Sequence, residues 1–184
     1  MKMSKIALAM GLGMVLVSGF ANAAASGTTT AAGAAGHGTV HFKGEIIDAP
    51  CSIAPESADQ TVDLGQVANS ALKDGGQSSP VAFSIKLQNC DISNSKTVTA
   101  TWSGTEDTNQ AGVWGITGSA SGAGIVLRDA SEKQIKLGAE TAKTTLTAND
   151  TTIAMSAFLR GDGKGINVVP GAFTGAADFV LAYQ

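Results

Sequence analysis

The 184-residue chain is poor in aromatic, charged, cysteine and proline residues, and each shortage narrows what it can do. Aromatic residues are 5% of it and charged residues 15%, with Lys plus Arg at 12, Asp plus Glu at 15 and a net charge of −3. No basic stripe or arginine cluster relieves that balance, so a nucleic-acid partner, which requires cations to neutralise phosphates, is not expected. Two cysteines and two histidines, without Cys-x-x-Cys or His-x-x-x-His spacing, make a poor metal-ligand set. Neither a metal nor a cofactor is expected. Long apolar runs are also missing: Ile6–Val17 is shorter than the roughly 20 residues that span a bilayer, and Gly11 and Gly13 dilute it. Gly, Ala, Thr and Ser are plentiful instead, a composition that suits short strands and tight turns.

Lys2 and Lys5 precede that apolar run, and Ser18-Gly-Phe-Ala21-Asn22-Ala23 follows it. A positive start, a short apolar centre and a small-x-small site read as a secretory signal peptide over 1–23. Cleavage is expected after Ala23, with Ala25 as the alternative. In an exported protein the even pair Cys51 and Cys90 most simply forms one disulfide. Closing a loop of that length restricts the unfolded chain by about 4 kcal/mol in the entropy description.

Ala24–Gly38 is low-complexity Ala, Gly and Thr. From Thr39 the pattern changes: Val40, Phe42, Gly44 and Ile46 fall on one face of an extended segment, and His41, Lys43 and Glu45 on the other. Strands are predicted at Thr61–Gly65, Val81–Gln88, Thr97–Ser103, Gly124–Arg128, Gln134–Leu137 and Thr152–Arg160, with a helical turn at Val67–Lys73. Gly- and Asp-rich turns separate them, at Lys73–Gly76, Ser103–Gly104, Ala148–Asp150 and Gly161–Gly165. The ending, Gly171–Gln184, alternates again, with Ala177, Phe179, Leu181 and Tyr183 on one face. Nothing after it could cover its open edge, a pairing hazard that proteins usually blunt. Evenly spaced short strands predict a one-domain β-sandwich.

Catalytic arrangements are weak. His37 and His41 have no fixed partners, and Trp102-Ser103-Gly104 lacks the first glycine of a nucleophile elbow. Glu106-Asp107 reads as a solvated acidic pair. Gly161-Asp-Gly-Lys-Gly165 has the wrong spacing for a phosphate loop. No enzymatic activity is expected. Trp102 ends the alternating run Val98, Ala100, Trp102 and belongs in the core. Trp114, in a Gly-rich stretch, is the better candidate for exposure, and an exposed tryptophan would suit a sugar-stacking platform. A self-contained secreted carbohydrate-binding module is therefore the alternative reading.

FKGEIIDAPCSI (Phe42–Ile53), VDLGQV (Val62–Val67), FSIKLQNC (Phe83–Cys90) and GAFTGAADFVLAYQ (Gly171–Gln184) together resemble the chaperone–usher pilins, most of all the major shaft subunits of type 1 and P pili. Gly171, fourteen places from the end, and the penultimate Tyr183 match a signature of that family. The resemblance implies an all-β, immunoglobulin-like sandwich lacking its last strand, completed in trans by donor-strand exchange. It implies that residues 24–47 are an N-terminal extension containing the donor strand, with Val40, Phe42, Gly44 and Ile46 as the donor face, and that 48–184 are the pilin domain. Gly44 would sit where any side chain meets the groove floor. Gly171, Phe173, Ala177, Phe179, Leu181 and Tyr183 would form the acceptor groove and the chaperone contact. The implied partners are further copies of the chain, a periplasmic chaperone, an outer-membrane usher, minor pilins and a tip adhesin. The implied location is an extracellular fimbria on a Gram-negative cell, reached through the periplasm. Without an added lectin domain, the chain resembles a shaft subunit rather than an adhesin.

Overall fold

The computed structural model describes residues 38–184; the expected signal peptide, its cleavage sites and the tail through His37 lie outside the described residues. Two units are distinguished, the first ending at Glu45 and the second running from Ile46 to Gln184. Among the described residues, all regular structure falls in the second, and it is almost entirely β.

In chain order the elements are β1 (Ser52–Ile53), the helical turn α1 (Pro55–Ala58), the helical turn α2 (Asn69–Leu72), β2 (Val81–Cys90), β3 (Thr97–Gly104), β4 (Trp114–Gly115) and β5 (Thr117–Gly118). There follow β6 (Ala123–Asp129), β7 (Gln134–Ile135), β8 (Thr144–Thr145), β9 (Asn149–Gly161), β10 (Phe173–Thr174) and β11 (Ala177–Tyr183). One sheet has the order β1-β2-β9-β6-β4, with β7 also on β6; a second is β11-β3-β8; β10 and β5 form a short ribbon. All pairings are antiparallel.

The long strands follow from alternation. On β9, Thr151, Ile153, Met155, Ala157 and Leu159 are buried along one face, and Ile85 and Leu87 of β2 meet them. Val98, Ala100 and Trp102 of β3 close the core from the opposite sheet, where a fully buried side chain the size of Val98 contributes about 1.5–3 kcal/mol. Phe158 departs from simple alternation. It lies on the face opposite Ile153, Met155, Ala157 and Leu159 and is buried there with Val126 and Val113, and the Arg128 guanidinium lies 4.3 Å from its ring centroid. Gln110 holds the covering loop in place: Arg160 Nε donates to its Oε1 at 2.6 Å, and its Nε2 donates to Asp162 Oδ1 at 2.8 Å.

The disulfide joins Cys51 to Cys90 across 39 positions, with Cα atoms 4.2 Å apart. It fastens the two-residue β1, which is paired with β2 at two positions, to the end of β2.

Thr39–Ile47, expected to act as a strand only in another copy, carries no strand of its own and has no ladder partner among the described residues. Two expectations need correction. Thr61–Gly65 is not a strand, although its side chains alternate between half-buried and exposed; it has no ladder partner among the described residues. Trp114 is not exposed: it is 1% accessible, and its Nε1 donates to the Ser103 carbonyl at 3.1 Å. The sugar-stacking platform therefore loses its best candidate. Gln134–Leu137 shortens to Gln134–Ile135, whereas the helical turn predicted within Val67–Lys73 forms at Asn69–Leu72.

Candidate functional site

A groove runs between two chain segments that share no strand neighbour among the described residues. One wall is built from Val168 through Phe179, passing from the β10 ribbon into β11. The other is the extended strap Asp59–Val67. Two adjoining cavities, of about 370 and 650 Å³, occupy the space between them. They meet at Val62 and Leu64 of the strap, Ile125 of β6 and Gly175 of the opposite wall. Leu127 and Ala157 form part of the smaller cavity's floor, and Leu159 and Leu72 part of the larger one's.

Both walls have unsatisfied backbone edges. Among the described residues β11 pairs only with β3, in register from Ala177 opposite Gly104 to Tyr183 opposite Val98. Gln184 and Thr97 exchange both N–H···O=C bonds at 2.9 Å. Hydrogen-bonded and non-hydrogen-bonded pairs alternate along an antiparallel ladder. Asp178, Val180 and Ala182 therefore bond to β3, while Ala177, Phe179, Leu181 and Tyr183 turn their N–H and C=O groups to the open side. On the strap, residues 59–67 make no backbone–backbone hydrogen bond among the described residues. The strap is anchored at both ends. Before it, the Ser57 hydroxyl accepts from Lys86 N–H at 3.1 Å; after it, Leu72 packs so closely on Gly161 that a Cβ there would lie 1.8 Å from the Leu72 carbonyl oxygen.

The predicted acceptor residues divide between these features. Gly171 and Phe173 line the larger cavity, and Ala177 and Phe179 the smaller. A Cβ on Gly171 would meet Ser119 Oγ at 2.5 Å and Ala120 N at 2.7 Å, so glycine there permits the wall to lie against that neighbouring turn. Phe179 stacks at a tilt on Trp102, with ring centroids 5.2 Å apart. Leu181 and Tyr183 are half-buried against the core and line neither cavity. Burial raises the Tyr183 phenol above its ordinary pKa. The predicted donor residues are solvent-facing: Val40 is 73% exposed, Phe42 91% and Ile46 102%, and no heavy atom lies within 4 Å of where a Gly44 Cβ would stand.

Sequence reasoning missed the second wall and the floor. Val62 and Leu64 had an alternation signal but were read as an ordinary strand. Ile125 was placed in a strand without a role. Gly175 was passed over, although a Cβ there would lie 2.5 Å from Ile125 Cδ1, marking the closest approach of wall to floor.

An all-β sandwich with an open slot and two bare edges is what the comparisons with known proteins match. Residues 40–184 match the family described as Fimbrial protein. The chain belongs to that family. It is 52% identical over its whole length, and over the whole of the relative, to the Fimbria A protein of Serratia marcescens. It is 45% identical to the Major MR/P fimbria protein of Proteus mirabilis, again with full coverage of both chains. Among solved structures, a chaperone–usher pilus subunit from a study of rod uncoiling aligns with a TM-score of 0.73 at 34% identity, covering 81% of this chain and 96% of that one. The P pilus rod subunit aligns at 0.67 and 33% identity, covering 74% and 100%. This fimbrial protein is thus a structural subunit of a bacterial pilus, with the incomplete immunoglobulin-like fold of chaperone–usher subunits.

Proposed function

We propose that the subunit polymerises by donor-strand exchange: residues 40–46 of one copy enter the groove of the next, with Val40, Phe42, Gly44 and Ile46 facing inward. One observation carries this reading. The same chain holds an exposed alternating apolar segment with no strand partner, and an apolar slot between two edges with no ladder partner. Inserted strands take affinity from main-chain hydrogen bonds and specificity from alternate side chains in pockets. Each feature supplies what the other lacks.

The wider reading follows from this. Residues 1–23 direct export to the periplasm and are removed, 24–47 form the extension and 48–184 the pilin domain. A periplasmic chaperone covers the groove, with β11 and Tyr183 in the contact, until an outer-membrane usher exchanges its strand for that of the next subunit. Minor pilins and a tip adhesin complete the fibre outside the cell. The subunit's role is mechanical, and it catalyses no reaction.

The test is a Phe42→Asp subunit co-expressed with wild-type protein. Its own groove is intact, so it should accept a wild-type strand yet fail to donate, ending each fibre it joins. Electron microscopy should show fibres shortening as its share rises. Unchanged fibre lengths, with the variant present along the shafts, would overturn the proposal.

A further inference from the structure

The groove carries a charge pattern that its apolar floor does not explain. Its charged lining is Asp59, Asp63 and Asp178, with no Lys, Arg or His lining either cavity. None of the three is in an ion pair among the described residues, where the single pair joins Lys86 to Glu56. Asp178 is exposed between half-buried Ala177 and Phe179 on one wall. Asp63 is exposed between half-buried Val62 and Leu64 on the other. Two carboxylates therefore flank the outer face of the slot from opposite sides.

A strand seated beside β11 alternates in step with it. Its inward residues fall opposite Ala177 and Phe179, and the residue between them falls opposite Asp178. In the segment 40–46, the residue between inward Phe42 and Gly44 is Lys43. We propose that Lys43 of the incoming copy pairs with Asp178 across the junction, with Asp63 reinforcing it from the strap, and that this ion pair sets the register of insertion. The inference rests on the strand-insertion reading above and adds to it the residue that selects among registers.

Register needs such a device here. A one-residue slip turns the apolar face outward and is strongly disfavoured, but a two-residue slip keeps every apolar residue inward. That slip brings Glu45 or His41 opposite Asp178 in place of Lys43, giving repulsion in one direction and loss of the lysine ammonium in the other. Opposite charges directly across a strand pair are favourable and like charges unfavourable. Charge therefore separates alignments that the apolar alternation leaves nearly equal.

Assembly of purified full-length subunits, followed by light scattering and electron microscopy, tests this. Asp178→Asn, which keeps the shape, should slow assembly roughly two- to fivefold. Lys43→Glu should slow it by roughly tenfold at low salt, and the deficit should shrink at high salt as the field is screened. The double variant Lys43→Glu with Asp178→Lys should recover to within about twofold of wild type, because the pair is restored with its signs exchanged. A salt-independent Lys43→Glu rate equal to wild type would overturn the inference. So would a well-folded double variant no faster than the single one. Phe42→Asp, run in parallel, separates the two levels: if it blocks assembly while the charge variants do not matter, only the ion pair is wrong. If it too assembles normally, strand insertion itself is wrong.

Discussion

Phe42→Ala should weaken the fibre without weakening the subunit. In the single chain Phe42 is 91% exposed, so its ring contributes almost nothing to the fold and the variant's thermal midpoint should match wild type within error. At a junction the ring leaves water for a slot floored by Leu127 and Ala157 or by Leu159 and Leu72. Fully burying a phenylalanine is worth about 1.5–3 kcal/mol. Since 1.36 kcal/mol is a factor of ten in rate, losing it should speed strand release by roughly 10- to 150-fold. Fibres would be sheared, washed free of monomer and held in detergent or moderate guanidinium. Released subunit would then be counted by gel filtration over time. A lowered thermal midpoint for the isolated variant would show that Phe42 already packs in its own domain. Unchanged release with an unchanged monomer would show that Phe42 is not buried at the junction, and the donor face proposed here would be wrong.

Gly44→Leu should leave the monomer folded and oxidised, since nothing lies within 4 Å of the position, yet should block fibre elongation by collision in the slot. The matched His41→Leu variant, whose side chain faces outward, should elongate, and microscopy of both distinguishes them. Replacing both cysteines with serine should cost about 4 kcal/mol for a loop spanning 39 positions, read as a lowered denaturant midpoint and a lower yield of exported subunit. On the alkaline side, monomer stability should hold through neutral pH and decline as Tyr183 ionises. Tyr183's folded pKa is raised above its ordinary 10.0, so the neutral phenol it stabilises is fully present below that value and lost as pH rises through the folded one. Tyr183 is the single tyrosine, so phenolate absorbance reports this titration directly, and Tyr183→Phe should abolish the alkaline decline.

The long strands were legible because a half-buried strand writes its burial into a two-residue period, as in Ile153, Met155, Ala157 and Leu159. The paired strands β4, β5, β8 and β10 were not: each is two residues long, too short for any period, and exists only because a neighbour happens to lie alongside. Trp114 was misplaced because a Gly-rich stretch reads as solvent-facing, whereas Gly104 and Gly124 are where other segments press against it and its neighbours. The groove was half legible. The alternation of Ala177–Tyr183 revealed one wall directly. The strap has the same kind of pattern, but periodicity says which residues face inward and not whether a neighbouring strand is present. That distinction required the hydrogen-bond ladder, in which residues 59–67 make no backbone–backbone bond among the described residues.

The Cys51–Cys90 bond has a consequence for how a fibre bears load. If residues 40–46 insert as proposed, tension on the inserted strand would leave the junction through Ile46 and travel along the few residues to Cys51. There it would reach β1, a two-residue strand paired with β2, and peeling a short strand end-first breaks its hydrogen bonds one at a time. The disulfide would divert that pull into β2, which is paired with β9 from Val81 through Cys90. Force that would otherwise unzip an edge would then be shared by the main sheet.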